Sequence, residues 1–184
     1  MRPYECQFEE GKQMSIRNQI SAALTFAAGT FCAAQIASAD HHVKSGTYEF
    51  VASFVTDYTV VEQSKQTVIG GPGRGTVTIV KSSGGPWVEG SSATNVFVVH
   101  IKKSDVGMDL EASGAQTDSS GDKAFFVAKR TAGDTAVGGG GTGRQQITGG
   151  TGKYEGVSGV CEYTVDFLVD NRVTSVGTCE WQRD

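Results

Sequence analysis

Glu49 and His100 are the groups in this chain best placed to do acid–base chemistry. Glu49 follows Tyr48 in an alternating run, and His100 stands among Val96, Val98 and Val99 in the most apolar run of the sequence. A carboxylate held in an apolar cavity is desolvated, so its pKa rises. Such a group could act as a general base or stabilise developing positive charge. Which role Glu49 plays depends on which face of its strand turns inward. The odd face carries Glu49, Val51, Ser53 and Val55, and the opposite face carries Tyr48, Phe50, Ala52, Phe54 and Tyr58. With the odd face inside, Glu49 is a buried catalytic candidate. With the aromatic face inside, it is a solvated surface residue, the commoner fate of a strand glutamate. His100 likewise reads as a ligand contact or as a satisfied core or interface histidine. Tyr58, Trp87, Tyr154, Tyr163 and Trp181 could present polar tips to a ligand or serve as packing alone.

Other chemistries find little to work with. Three histidines in 184 residues give no grounds for a Ser–His–Asp set, and no Cys/His group has zinc spacing. One metal arrangement is open: cleavage after Ala39 would leave a free amine on Asp40 with His42 third in line. Amine, two amides and imidazole make a square-planar set for Cu(II) or Ni(II); the alternative is a frayed terminus. The glycine-rich stretch Ala136–Gly159 holds ten glycines in 24 residues, which invites a phosphate cradle. Its spacing rejects one. Ile147 stands where a P-loop needs glycine, Tyr154 follows Gly152-Lys153 in place of Ser or Thr, and no G-x-G-x-x-G fits. No cofactor is therefore expected. A formal charge of −4, with Lys+Arg 16 against Asp+Glu 20, lacks the basic surplus of nucleic-acid binding.

The N-terminus reads as an address. From Met14 to Ala39 a lone Arg17 precedes an apolar run ending in Ala37-Ser38-Ala39, the small-x-small pattern of signal peptidase sites. Gln35, Gly29 and many alanines make the run weak for a stable membrane span. Phe31 before Cys32 departs from a lipobox. Residues 1–13 hold no apolar run and are read as a leader before the true start. The expected organisation is leader 1–13, signal peptide 14–39 and one domain over 40–184, periplasmic or secreted.

The elements that must position these side chains are strands. After Ala39 no helical period persists over three turns, and period-2 alternation recurs between Gly, Ser and Asp clusters. Strands are expected from Tyr48, over Thr76–Lys81, Val96–Ile101, Met108–Ala112 and Ala124–Lys129, and in a final pair. In that pair Val157, Gly159, Cys161, Tyr163, Val165 and Phe167 share one face. Val173, Ser175, Gly177, Cys179 and Trp181 share the matching face of the return strand. A hairpin about Asp170 sets Cys161 opposite Cys179, Tyr163 opposite Gly177 and Trp181 opposite Gly159. A slip of one residue would send the cysteines to opposite faces. One disulfide, Cys161–Cys179, is expected in an exported chain. Many short strands and almost no helix suit an antiparallel barrel or sandwich, and about eight strands close a barrel wide enough for one small ligand.

The run Gln146-Ile147-Thr148-Gly149-Gly150-Thr151-Gly152-Lys153-Tyr154-Glu155-Gly156, with Gly159 after it, resembles the I-T-G-G-[ST]-G-x-[FY]-x-G-x-x-G stretch of the allene oxide cyclase family. It is also similar to the V-G-G-T-G-x-F stretch of plant dirigent proteins. The resemblance covers under a tenth of the chain. It implies an eight-stranded antiparallel barrel, commonly trimeric, holding an apolar small molecule. Allene oxide cyclases close a fatty-acid epoxide to a cyclopentenone with one glutamate near the start of the first strand, within Tyr-Glu-x-Asn. Here Tyr48-Glu49-Phe50-Val51 matches Tyr and Glu and lacks the Asn. By that resemblance Glu49 would be catalytic, and Gly149, Gly150, Gly152 and Gly156 structural. A homo-oligomer, a trimer by the same resemblance, is expected because VFVVHI is apolar on both faces, with Phe97 or Val98 near the contact. Two functions compete: a cofactor-free cyclase or isomerase for an apolar or phenolic substrate, and a non-catalytic carrier of a hydrophobic molecule. A third is an interaction protein of a surface assembly.

Overall fold

The computed structural model describes residues 43–184. The expected leader and signal peptide, and the candidate metal residues Asp40 and His42, lie outside the described residues. Within them the chain forms β1 (Ser45–Thr56), β2 (Thr59–Gln63), β3 (Gln66–Ser82), β4 (Ser92–Ser104), β5 (Gly107–Thr117), β6 (Lys123–Arg130), β7 (Gly140–Gly150), β8 (Val157–Phe167) and β9 (Arg172–Arg183). Among the described residues the one helical turn is 3₁₀, Gly152–Tyr154. Every pairing is antiparallel, in the order β1-β9-β8-β7-β6-β5-β4-β3, and β3 returns to β1. This is a closed eight-stranded barrel, in which each of the eight strands is paired on both sides. β2 hangs outside it, paired only with the first residues of β3.

The aromatic face of β1 turns inward: Tyr48, Phe50 and Ala52 are buried, while Glu49, Val51 and Val55 face out. The interior divides into two ends. At one, Tyr48, Trp87, Tyr154 and Trp181 pack around Cys161 and Cys179. At the other, Ile101, Met108, Leu110 and Ala128 meet Val165, Phe167 and Val173 through Tyr58 and Tyr163. Val96 and Val98 lie on the outer face of β4, 59% and 62% exposed, whereas Phe97 turns inward and meets Phe54 edge-on at 5.2 Å. Of the two residues expected near a contact, only Val98 is on the surface.

The final hairpin has the register read from the sequence. Cys161 pairs with Cys179, Tyr163 with Gly177 and Trp181 with Gly159, and the disulfide Cys161–Cys179 is formed. Asp170 and Asn171 adopt positive φ in the turn, as Asp and Asn tolerate better than other non-glycine residues. The rings lean away from those paired glycines. Tyr163 lies over Gly143 and Trp181 over Gly85, while Phe50 occupies the space above Gly177.

Two glycine clusters lie inside strands. Gly70–Gly73 runs through the middle of β3, where the strand exchanges β2 for β1 as its neighbour. Gly71 is required there because a Cβ would strike the carbonyl oxygen of Asp57 as the chain leaves β1. Gly140–Gly150 forms β7, and only the residues after it make the tight turn. In that turn Gly152 has φ +56°, and a Cβ on it would meet the Asp122 carboxylate. That carboxylate accepts the Lys153 N–H at 3.2 Å. Asp118 receives Lys153 Nζ at 2.8 Å. Burial pushes its pKa up, but the hydrogen bond from Lys153 and those from the Ser120 and Asp122 amides outweigh this and leave it lowered. Gly149 and Gly150 end β7, and Gly156 closes the turn before β8.

Candidate ligand-binding cavity

Strand alternation determines which side chains reach the interior. The inward positions of β1, β4, β5 and β6 supply Phe50 and Phe54, Phe97 and Val99, Leu110 and Ala112, and Phe126 and Ala128. With Val165, Phe167 and Val173 they wall a cavity of about 90 Å³ inside the barrel. The same alternation brings polar groups into this wall: Asn95, Gln116, Arg130, Gln145 and Ser175, all buried, together with Tyr58 and Tyr163. No Asp or Glu lines it among the described residues. A larger trough of about 920 Å³ crosses the outside of the barrel past Glu49, Lys129, Arg144 and Glu162. It is open to solvent and mixed in charge, so it lacks the enclosure of a small-molecule site.

The polar groups differ in how far they are satisfied. Ser175 Oγ donates to the Thr164 carbonyl at 2.9 Å, and Gln145 Nε2 approaches Cys161 Sγ at 3.9 Å. Asn95 Oδ1 has no hydrogen-bond partner among the described residues. Arg130 is 2% exposed. Its Nη2 donates to the Asp134 main-chain oxygen at 3.3 Å and lies 3.9 Å from Met108 Sδ. Its guanidinium carbon stands 5.3 Å from the centre of the Phe167 ring. Nε and Nη1 have no partner among the described residues. Burial pushes the Arg130 pKa down, against the pull of Tyr163, Tyr58 and Asp134. Burial pushes the Tyr58 phenol up to about 12 and raises that of Tyr163, so both keep a donating O–H at neutral pH.

Of the residues singled out from the sequence, Tyr58 and Tyr163 reach the cavity wall. Trp87 and Trp181 do not. Trp87 stacks on Tyr48 with ring centres 4.4 Å apart and lies 5.2 Å from Tyr154 and 5.9 Å from Trp181. These four rings plug one end of the barrel and touch one another in place of a ligand. His100 faces outward on β4 and is exposed, its strand neighbours being Gly70 and Glu111.

Glu49 also faces outward. Its carboxylate accepts Lys81 Nζ at 3.1 Å, with 44% of the side chain exposed. A bulge explains the meeting: opposite Glu49 and Phe50 the chain inserts Val80, so Val80 and Lys81 both point outward. The desolvation that would prepare Glu49 for chemistry is therefore missing. The physical cause is the aromatic face of β1, whose rings take the interior and leave the odd face to water.

Arg130, Asn95, Gln116 and Gln145 were not singled out from the sequence. A signal existed. In Lys123–Arg130 the even residues run Ala124, Phe126, Ala128, Arg130, so a cation continues an apolar face. Gln116 extends the face of Met108, Leu110 and Ala112 in the same way. Comparison with family models, with curated proteins and with solved structures finds no match for this chain.

Proposed function

We propose that this protein is an exported barrel that binds a small, largely apolar molecule in its interior without transforming it. The observation that carries the reading is the interior cavity, where aromatic and aliphatic walls surround a few converging polar groups, the usual make-up of a small-molecule site. Its volume of about 90 Å³ suits one ring or a short chain. Carriage is favoured over cyclisation or isomerisation because neither Glu49 nor His100 reaches the cavity, and no other carboxylate or imidazole lines it among the described residues. Export is supported by the Cys161–Cys179 disulfide, which persists in oxidising compartments. The resemblance of Gln146–Gly156 to the allene oxide cyclase and dirigent barrels supports the binding of an apolar molecule inside the barrel, though not the absence of chemistry.

Toluene tests it. Added to the purified protein, toluene is expected to shift the methyl resonances of Leu110, Ala112 and Ala128, which line the cavity, and to raise the melting temperature. Unchanged spectra up to the solubility limit would remove the reading.

A further inference from the structure

We infer that Arg130 anchors an anion subsite and that the molecule held in the barrel carries a carboxylate. This rests on the ligand-binding reading and adds the chemical class of the ligand.

A guanidinium presents five N–H donors and stays charged at any physiological pH. In this barrel Nη2 is engaged by neutral groups, the Asp134 carbonyl and the Met108 sulfur. The three donors on Nε and Nη1 are buried and unpartnered among the described residues. The Phe167 ring accounts for the position of the guanidinium carbon but gives those donors no acceptor. The carboxylate nearest in sequence, that of Asp134, is committed elsewhere. It accepts Lys103 Nζ at 2.7 Å and the amides of Thr135 at 2.7 Å and Ala136 at 3.3 Å. Those bonds, that of Lys103 first, hold its pKa at about 2, so it stays an anion paired with Lys103. Arg130 is left as a buried cation without a carboxylate partner, an expensive state unless a further group completes it.

Arg130 stands in the wall of the cavity that would hold that group. Gly141 and Gly143 stand at alternate positions of β7. A Cβ on Gly141 would lie 3.4 Å from Arg130 Nη1, and one on Gly143 would lie 2.5 Å from Tyr163 Cζ and Oη. A side chain at Gly143 would take the space that the phenol uses, while one at Gly141 would meet Ala132 and Gly133 before the guanidinium. The Tyr58 and Tyr163 phenols line the same cavity and are further donors for an oxyanion. Among the described residues Arg130 is the only charged one in the wall, so a single negative charge balances it and a phosphate dianion does not. The apolar remainder of the wall suits the hydrocarbon body of an organic acid.

Benzoate, with benzyl alcohol as its neutral counterpart, tests this by calorimetry and by the Ala112 and Ala128 methyl signals. Benzoate is expected to bind the purified protein at least ~10-fold more tightly than benzyl alcohol, a difference appropriate to a charge-assisted pair. Arg130→Met should abolish that preference while retaining toluene. Equal binding of benzoate and benzyl alcohol, with toluene bound, would overturn the anion subsite and leave the binding barrel standing. Binding of none of the three would remove both. Full displacement of benzoate by equimolar nitrate or chloride would show an inorganic anion site and overturn the organic class. Should Arg130→Met fail to fold, the wild-type protein decides alone. Benzoate affinity should fall as pH is lowered through its carboxyl pKa near ~4, because the guanidinium stays charged while the ligand loses its charge. Affinity that rises on acidification would overturn the inference.

Discussion

Glu49 and Arg130 sit on strands of similar alternation, and their fates are opposite because of what shares their faces. On β1 the bulky rings occupy the even positions, so Glu49 goes to water and pairs with Lys81 at 3.1 Å. On β6 the inward face is built from two alanines and one phenylalanine before Arg130, which leaves space for a long side chain to lie inside. Exposed ion pairs contribute little, because water screens both partners and two long side chains lose freedom. Glu49→Gln is accordingly expected to change unfolding stability by less than about 0.5 kcal/mol in urea titrations. A loss above about 2 kcal/mol would show Glu49 in a more confined role than its position gives it. Both residues were readable as charged positions in alternating runs; the inward face of each strand was not, since period-2 alternation alone does not say which side is the core.

At the scale of the element, the β8–β9 hairpin was the most legible part of the molecule. Two cysteines on matching faces admit one register, since a slip of one residue separates them, and the structure has that register from Val157↔Arg183 to Phe167↔Val173. The disulfide joins residues 18 apart in sequence and restricts the unfolded chain. Replacing both cysteines with alanine is expected to cost roughly 3 kcal/mol, measured by equilibrium denaturation. A change under about 1 kcal/mol would mean that strand pairing alone already holds the hairpin. The glycine-rich elements were harder to read. Gly70–Gly73 and Gly140–Gly143 look like turns in one dimension, because glycine favours turns and weakens strands. In the barrel their bare backbones admit Asp57, Phe97, Arg130 and Tyr163 at close range, a demand made by neighbours distant in sequence.

At the scale of the whole molecule, closure turns eight strands into a container and leaves the outer face to be explained. Val96 and Val98 are more than half exposed on β4. Their cross-strand neighbours on β5, Ala115 and Ser113, are small, and Ala115 in turn pairs with the outward Phe125 of β6. Apolar area of this kind is commonly covered by a partner. Light scattering at micromolar concentration is expected to find more than one copy, with a trimer the expected size, and Val98→Lys should shift the population to monomer. A wild-type monomer at that concentration would show that these valines stay in water.

The sequence alone determined the all-β class, most of the strands, the hairpin register and the disulfide. These follow from side-chain period and from the geometry of two cysteines, both of which are local. Only the tertiary structure decided which face of β1 is inside, that Trp87 and Trp181 plug one end while Tyr58 and Tyr163 line the cavity, and that a buried arginine lacks a carboxylate partner. Those outcomes depend on competition for a small interior among residues from eight strands. In that competition the bulkiest apolar rings displace whatever shares their strand, and no pattern along one strand records who the competitors are.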